Sequence, residues 1–229
     1  MTMIADNLHR IHQRMAQACQ ASGREPETVR LLAVSKTFGA DAVAHAHAAG
    51  QTAFGENYIQ EAVDKITTLA HLPLEWHCIG PIQSNKTRLV AEHFDWVHTI
   101  DRLKIAQRLS EQRPAHLTPL QVCIQVNVDG GPTKSGVAPD EALALARAVA
   151  ALPRLRLRGL MCIPEHAPDF VAACAVFARA RALFDQMNLA GMALDTLSMG
   201  MSADLEAAIA SGSTLVRVGS AIFGARSYS

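Results

Sequence analysis

The chain has 229 residues, 49% hydrophobic and 18% charged, enough apolar side chains to bury a core without cross-links. Lys plus Arg and Asp plus Glu both number 21, so the formal net charge is zero. The apolar fraction excludes disorder as the dominant state, and the balanced charge gives no field for nucleic acid or an anionic membrane as main partner.

In chain order, Ile4, Leu8, Ile11, Met15 and Cys19 fall at helical spacing and predict an N-terminal helix that Gly23 and Pro26 end. An alternation follows. Strands are predicted at 29–35, 52–54, 75–79, 95–100, 120–128, 155–162, 194–198 and 214–219. Helices between them run from about 40 to Gly50, then over 58–72, 85–93, 103–112, from Pro139, over 170–188 and over 202–210, with a closing turn at 221–225. The helix at Pro139 is the best signalled, with proline in its first turn, Asp140 and Glu141 against the dipole, and Leu145, Val149 and Leu152 as an apolar stripe.

Eight strands alternating with helices over short loops imply parallel pairing with right-handed crossovers. The fold class is α/β. A single (β/α)8 TIM-type barrel with an extra N-terminal helix accounts for eight units better than its rival, a doubly wound open sheet. We expect one domain over residues 1–229, with residues 1–25 packing on the barrel. Cys19, Cys78, Cys123, Cys162 and Cys174 are odd in number and include no C-x-x-C pair, which points to reduced thiols and a cytoplasmic location. No stretch reads as a signal peptide or a membrane span.

Barrels carry their chemistry at the C-terminal strand ends, and here those ends are polar. Lys36 closes the first strand and shares a face with Leu32 and Val34. An amine desolvated at a barrel mouth loses basicity and becomes competent for Schiff-base chemistry; the alternative is a lysine snorkelling to solvent. Arg217, flanked by Val216 and Val218, falls on the strand that would pair with the first, so the two cations would meet at the mouth. It is either a donor to a ligand nitrogen or anion, or one half of an ion pair across the barrel. Ser198-Met-Gly-Met-Ser202 and Gly219-Ser220 follow the last two strands, where barrels commonly hold phosphate. Ser202 also reads as a plain N-cap, and Asp204 and Glu206 should point away from any anion. An amine, a guanidinium and two phosphate loops describe pyridoxal 5'-phosphate.

On Leu31-Leu-Ala-Val-Ser-Lys36, Phe54-Gly-Glu-Asn-Tyr58, Trp76-His-Cys-Ile-Gly-Pro81, Gln83-Ser-Asn-Lys86, Lys134-Ser-Gly136, Arg158-Gly-Leu-Met161, Ser198-Met-Gly-Met-Ser202 and Val216 to Gly224, the sequence resembles the pyridoxal phosphate homeostasis proteins (the YggS/PROSC family), along nearly its whole length. The resemblance implies the barrel of the alanine racemase N-terminal domain. It implies that Lys36 holds the cofactor as an internal aldimine, that Asn57 lines the pocket, that Ser198, Ser202, Gly219 and Ser220 surround the phosphate, and that Arg217 faces the pyridine nitrogen. Lys134 matches a position linked in some members to a second cofactor molecule. The sequence departs from the commoner pattern at Thr37-Phe38-Gly39, where a second basic residue is missing.

An arginine opposite the ring nitrogen disfavours its protonation, which weakens the ring as a carbanion sink. Related racemases supply a second base, a tyrosine on an extra β domain; here the chain ends at Ser229, and only Tyr58 and Tyr228 are present. The expected role is therefore holding and delivery of the cofactor in vitamin B6 homeostasis, with apo pyridoxal-phosphate enzymes as recipients, no nucleic acid or membrane partner, no metal and a monomeric state. The rivals are a low-activity amino-acid racemase and a Schiff-base aldolase using Lys36 on a sugar phosphate. His9, His12, His45 and His47 read as solvated helix residues. His77 reads as a core histidine or a pocket residue, Glu56 as a partner for a buried cation, and Arg154, Arg156 and Arg158 as structural.

Overall fold

The structure is a computed structural model that describes residues 2–131 and 135–224. Lys134 and Tyr228 lie outside the described residues. Eight strands close a barrel in simple sequence order: β1 (Arg30–Val34), β2 (Ala53–Glu56), β3 (Glu75–Cys78), β4 (Trp96–Ile100), β5 (Leu120–Gln125), β6 (Leu155–Met161), β7 (Thr196–Ser198) and β8 (Leu215–Val218). All pairings are parallel, and β8 returns to β1 with Leu32 in register with Arg217. Helices cover the outside, so most strand residues are buried on both faces and the strands read as near-continuous apolar runs.

The helices are α1 (Met3–Ala21), α2 (Ala40–Ala48), α3 (Ile59–Thr68), α4 (Thr87–His93), α5 (Leu103–Gln112), α6 (Pro139–Ala150), α7 (Phe170–Leu189), α8 (Leu205–Ala210) and α9 (Ser220–Phe223). α6 starts on Pro139, as its signals predict. α7 is capped by Asp169, whose Oδ1 accepts the Ala172 N–H at 2.8 Å. Several predicted boundaries move: α3 ends at Thr68 instead of 72 and β7 begins at Thr196 instead of 194. α4 begins at Thr87 after a 3-10 turn over Ser84–Lys86. β5 stops at Gln125, and only Val126 bridges onward, to Val137. α8 begins at Leu205 with Asp204 as its N-cap residue, so Ser202 is not a cap. Among the described residues no helix is long and apolar enough to cross a membrane.

α1 packs against α2, α8 and α9. Arg14 Nη2 donates to the Ser202 carbonyl at 3.1 Å, and Arg14 also pairs with Glu206. Asn7 Nδ2 donates to the Ile222 carbonyl at 2.9 Å. The extra helix thus fastens the loops that leave β7 and β8.

Most of the core lies between strands and helices, with Leu31 and Ala33 facing outward into it. The barrel interior holds two smaller apolar patches. One comprises Leu32, Val34, Ala53, Ile79 and Leu215; the other comprises Trp96, Cys123 and Met161. The remaining interior positions include a set of buried polar groups: His77, His98, Ser198 and Arg217.

Candidate functional site

At the C-terminal end of the barrel a cavity of about 300 Å³ is lined by Lys36, Asn57, Ser202, Arg217, Gly219 and Ser220, with Val34, Phe38, Ile79, Ile163 and Met201 among its apolar walls. Six of the seven cofactor-binding residues expected from the sequence therefore meet in one place. Larger hollows lie along α1 and α2 and at the opposite end of the barrel. The first has no lysine. In the second, Arg30 and Arg158 are already paired, with Glu75 and Asp195.

Ser198 is the exception. It is the last residue of β7, fully buried, and does not line the cavity. Its Oγ accepts from Arg217 Nη1 at 2.7 Å and lies 2.9 Å from His98 Nδ1. Its carbonyl accepts a second Arg217 bond at 2.8 Å. The structure separates the two serines: Gly200, at φ +94°, turns the chain between them, and Ser198 bonds Arg217 while Ser202 lines the cavity. A Cβ at Gly200 would lie 2.4 Å from that of Ala208, so this turn requires glycine.

Arg217 is 4% exposed and, among the described residues, has no carboxylate at ion-pair distance. Three of its N–H groups go to Ser198 O, Ser198 Oγ and Cys162 O. A guanidinium has five, so two remain for a ligand in the cavity it lines. By register Arg217 sits at the level of Leu32, deeper than Lys36, which follows the end of β1 on a half-buried turn. Arg217 is the floor of the cavity and Lys36 its rim.

The Lys36 turn is built on a buried ion pair. Lys65 Nζ donates to Glu56 Oε1 at 2.6 Å and to the Ser35 carbonyl at 2.9 Å, while Ser35 Oγ donates to the same Oε1 at 2.6 Å. Glu61 joins Lys65 at 3.0 Å and accepts the Thr37 N–H at 2.9 Å. Thr37 has φ +69°, a left-handed conformation that threonine rarely adopts, so the bond to Glu61 supports a strained backbone right after the amine. Glu56 does pair with a buried cation, as expected. Lys65 was not foreseen.

Asn57 carries a buried Oδ1 that has no hydrogen-bond partner among the described residues. Its loop is pressed against Gly80, where a Cβ would lie 2.4 Å from the Asn57 carbonyl oxygen. Glu206 is held by Arg14, and Asp204 accepts the Met201 N–H at 2.6 Å; neither lines the cavity. Among the described residues, an anion at Ser202 and Ser220 would meet no carboxylate in the lining.

His77 is a core histidine, fully buried, stacked on Trp96 at 5.2 Å and bonded to Glu75 and His98. Arg158 lies over the same Trp96 ring and pairs with Asp195, which makes it structural. All five cysteines are free thiols, and burial pushes Cys78, Cys123 and Cys162 up to about 12. Among the described residues no three His, Cys, Asp or Glu side chains gather as metal ligands.

Burial lowers the pKa of His77 and lowers that of His98 further, so both stay neutral in the fold. The unfolded chain takes up those protons near the ordinary 6.5. Stability is then complete above that pH and falls below it, by about 1.4 kcal/mol per pH unit for each histidine that stays neutral. Burial also raises Glu56, against the pull of Lys65 and Ser35, and Asp95; these two acids work in the opposite direction, while His12, lowered by its burial, adds to the effect of the other two histidines. We expect urea midpoints to drop between pH 7.5 and 5.5, and a flat profile would show that the two rings gain protons in the folded state.

A parallel barrel that offers an amine at its rim, a buried guanidinium at its floor and hydroxyl-bearing turns after its last two strands defines a class: a barrel for a ligand with a carbonyl and an anionic group. The chain belongs to the alanine racemase N-terminal domain family, whose sequence model matches residues 6–227, and within it to the pyridoxal phosphate homeostasis proteins. It is 63% identical over 228 residues to the pyridoxal phosphate homeostasis protein of Pseudomonas aeruginosa, covering 100% of this chain and 98% of that one. It is 55% identical over 232 residues to that of Escherichia coli, with 100% and 99% covered. PipY of Synechococcus elongatus, solved with pyridoxal phosphate bound, superposes with a TM-score of 0.83 at 37% identity over 96% of this chain and 100% of its own. Alanine racemase of Corynebacterium glutamicum shares the fold, with a TM-score of 0.72 at 18% identity, covering 96% of this chain and 59% of the racemase.

Proposed function

We propose that this chain is a single pyridoxal 5'-phosphate-binding domain over residues 1–229. In this reading it attaches the cofactor to Lys36 and serves vitamin B6 homeostasis in the cytoplasm as a monomeric carrier that supplies apo-enzymes. The observation that carries it is the meeting of Lys36, Arg217, Asn57 and the Ser202, Gly219 and Ser220 turns in one cavity. The relatives named for this role, and PipY with the cofactor bound, support it.

The residues present fit the group. When bound, pyridoxal phosphate supplies an aldehyde for reversible attachment to an amine and a ring that withdraws electrons. Lys36 Nζ is the attaching amine. Ser202, Ser220 and the turn at Gly219 hold the phosphate, and a Cβ at Gly219 would approach the Val34 carbonyl to 3.1 Å, so β1 and β8 meet closely there. Arg217 would donate to the ring nitrogen, and its fixed charge would disfavour protonation of that atom. Asn57 Oδ1 is a buried acceptor for a ligand donor.

The lining supports a carrier rather than a catalyst. Among the described residues Lys36 is its sole acid–base side chain, since a guanidinium does not shed its proton. Tyr58 is 55% exposed and lies off the cavity. Proton removal on one face of the ring and return on the other needs two such groups.

The test combines the wild-type chain with pyridoxal phosphate, borohydride and peptide mapping, and follows deuterium exchange at Cα of added amino acids. The expected result is a label on Lys36 with little exchange. A label confined to other lysines would overturn the site, and sustained exchange would overturn the carrier role in favour of a racemase.

A further inference from the structure

Arg217 is the first link of a hydrogen-bonded series that crosses the barrel. Arg217 Nη1 donates to Ser198 Oγ at 2.7 Å. Ser198 Oγ lies 2.9 Å from His98 Nδ1, His98 Nε2 lies 2.8 Å from His77 Nδ1, and His77 Nε2 lies 2.7 Å from Glu75 Oε1. Arg30 Nη2 donates to the same carboxylate oxygen at 2.6 Å. We propose that these groups form one directional chain of donors, in which His98 and His77 are neutral Nε2–H tautomers acting as positioning residues that fix the Arg217 guanidinium in the cavity.

The direction follows from the two ends. Arginine only donates, so Ser198 Oγ accepts from it; the hydroxyl has a second lone pair, and the Glu75 carboxylate at the other end decides that its own hydrogen turns toward His98 Nδ1. That nitrogen is then the bare one, and the proton of the neutral ring sits on Nε2. His98 Nε2–H donates to His77 Nδ1, which is bare in turn, and His77 Nε2–H donates to Glu75. The opposite direction sets a bare His77 Nε2 against a carboxylate oxygen at 2.7 Å, lone pair against lone pair. A second proton on His77 would relieve that contact but would add a cation to an interior that already holds Arg217. The charged and titratable groups around the rings are Glu75, Asp95 and Arg30 toward His77, and Arg217, Arg30 and His77 toward His98. Burial opposes a charge on either ring.

The chain explains how a guanidinium stays at the barrel centre with no carboxylate beside it among the described residues. Oriented dipoles present acceptors to Arg217 and pass the opposite polarity across the barrel to Glu75, which lies 35% exposed with Arg30. Because Arg217 keeps its proton, the chain conducts none; it holds orientation. The part of this inference that concerns the ring nitrogen rests on the function proposed above; the tautomers do not.

Two measurements test it. Long-range proton–nitrogen correlation spectra of the ligand-free, ¹⁵N-labelled chain read the tautomers directly. Protonated Nε2 with bare Nδ1 on both His77 and His98 is expected, and a protonated Nδ1 on either ring overturns the proposal whatever the chain binds. Pyridoxal phosphate titrations then compare His98→Leu with His98→Asn, whose short amide can still accept from Ser198. His98→Leu is expected to weaken binding about tenfold, the loss of one charge-linked hydrogen bond, with His98→Asn within about threefold of wild type. Equal affinities for wild type and His98→Leu overturn the positioning role. Failure of the wild-type chain to bind at Lys36 overturns the proposed function while leaving the tautomer result standing.

Discussion

Replacing Lys36 with Ala is expected to abolish the borohydride-fixed pyridoxal adduct while leaving the fold within about 1 kcal/mol of wild type. The adduct needs a primary amine at the rim, and no other lysine lines the cavity among the described residues. The fold does not need it. Lys36 follows β1 on a half-buried turn, and that turn is held by the Ser35 carbonyl, the Ser35 hydroxyl and the Thr37 N–H, all bound to Lys65, Glu56 or Glu61. These bonds survive truncation of the side chain. The turns at Ser202 and at Gly219 and Ser220, and Arg217, also survive, so weaker, dialysable binding of the cofactor is expected to remain. Lys36→Arg separates the two properties of the side chain, because it keeps the charge but lacks a condensing amine. It should match Lys36→Ala in the adduct and bind the free cofactor more tightly than Lys36→Ala. Mass mapping after borohydride, with urea unfolding as control, reads both. An adduct of wild-type yield in Lys36→Ala would place the chemistry elsewhere.

The barrel was legible because each strand repeats one simple rule. Two covered faces leave short apolar runs, and period-two alternation from Leu32 through Val34 puts Lys36 over the interior. α6 begins where predicted because Pro139 and the acidic first turn are local signals that tertiary structure does not override. The polar interior was less legible. Ser198 read as part of one serine-rich loop, because a three-residue strand gives too few positions to show which way its last side chain points. Met199, the left-handed Gly200 and Met201 lie between it and Ser202. Lys65 carries a signal in the sequence. It falls on the stripe of Ile59, Ala62 and Leu69, the face that α3 buries, and a lysine there requires an acceptor. His98 stands between buried Val97 and Thr99 on a strand with no exposed residue, so it too had to find partners inside. What the sequence cannot display is which buried polar group meets which across the barrel, since those pairs are separated by up to 100 residues.

Lys65→Met is expected to destabilise the chain by about 3–5 kcal/mol, the usual cost of stripping one partner from a buried ion pair. Glu56 is 1% exposed, and its Oε2 already lacks a partner among the described residues, so its charge would be left with the Ser35 hydroxyl alone. Neutralising the survivor should recover most of the loss, because Glu56→Gln with Lys65→Met leaves no isolated charge. The pH dependence has a definite sign. Burial already raises the Glu56 carboxyl, and removing Lys65 raises it further, so the folded variant gains a proton that the unfolded chain releases near 4.5. A raised folded value for an acid favours the fold at low pH, so the deficit of Lys65→Met is larger at pH 8 than at pH 5. The same variant frees the Ser35 carbonyl and removes the cation beside Glu61, loosening the turn that carries Lys36. Adduct formation should therefore slow although Lys65 does not line the cavity. Urea unfolding at the two pH values, with adduct rates under conditions where each variant is folded, measures both effects. A single variant within 1 kcal/mol of wild type at pH 8 would show that the pair does not hold this end of the barrel.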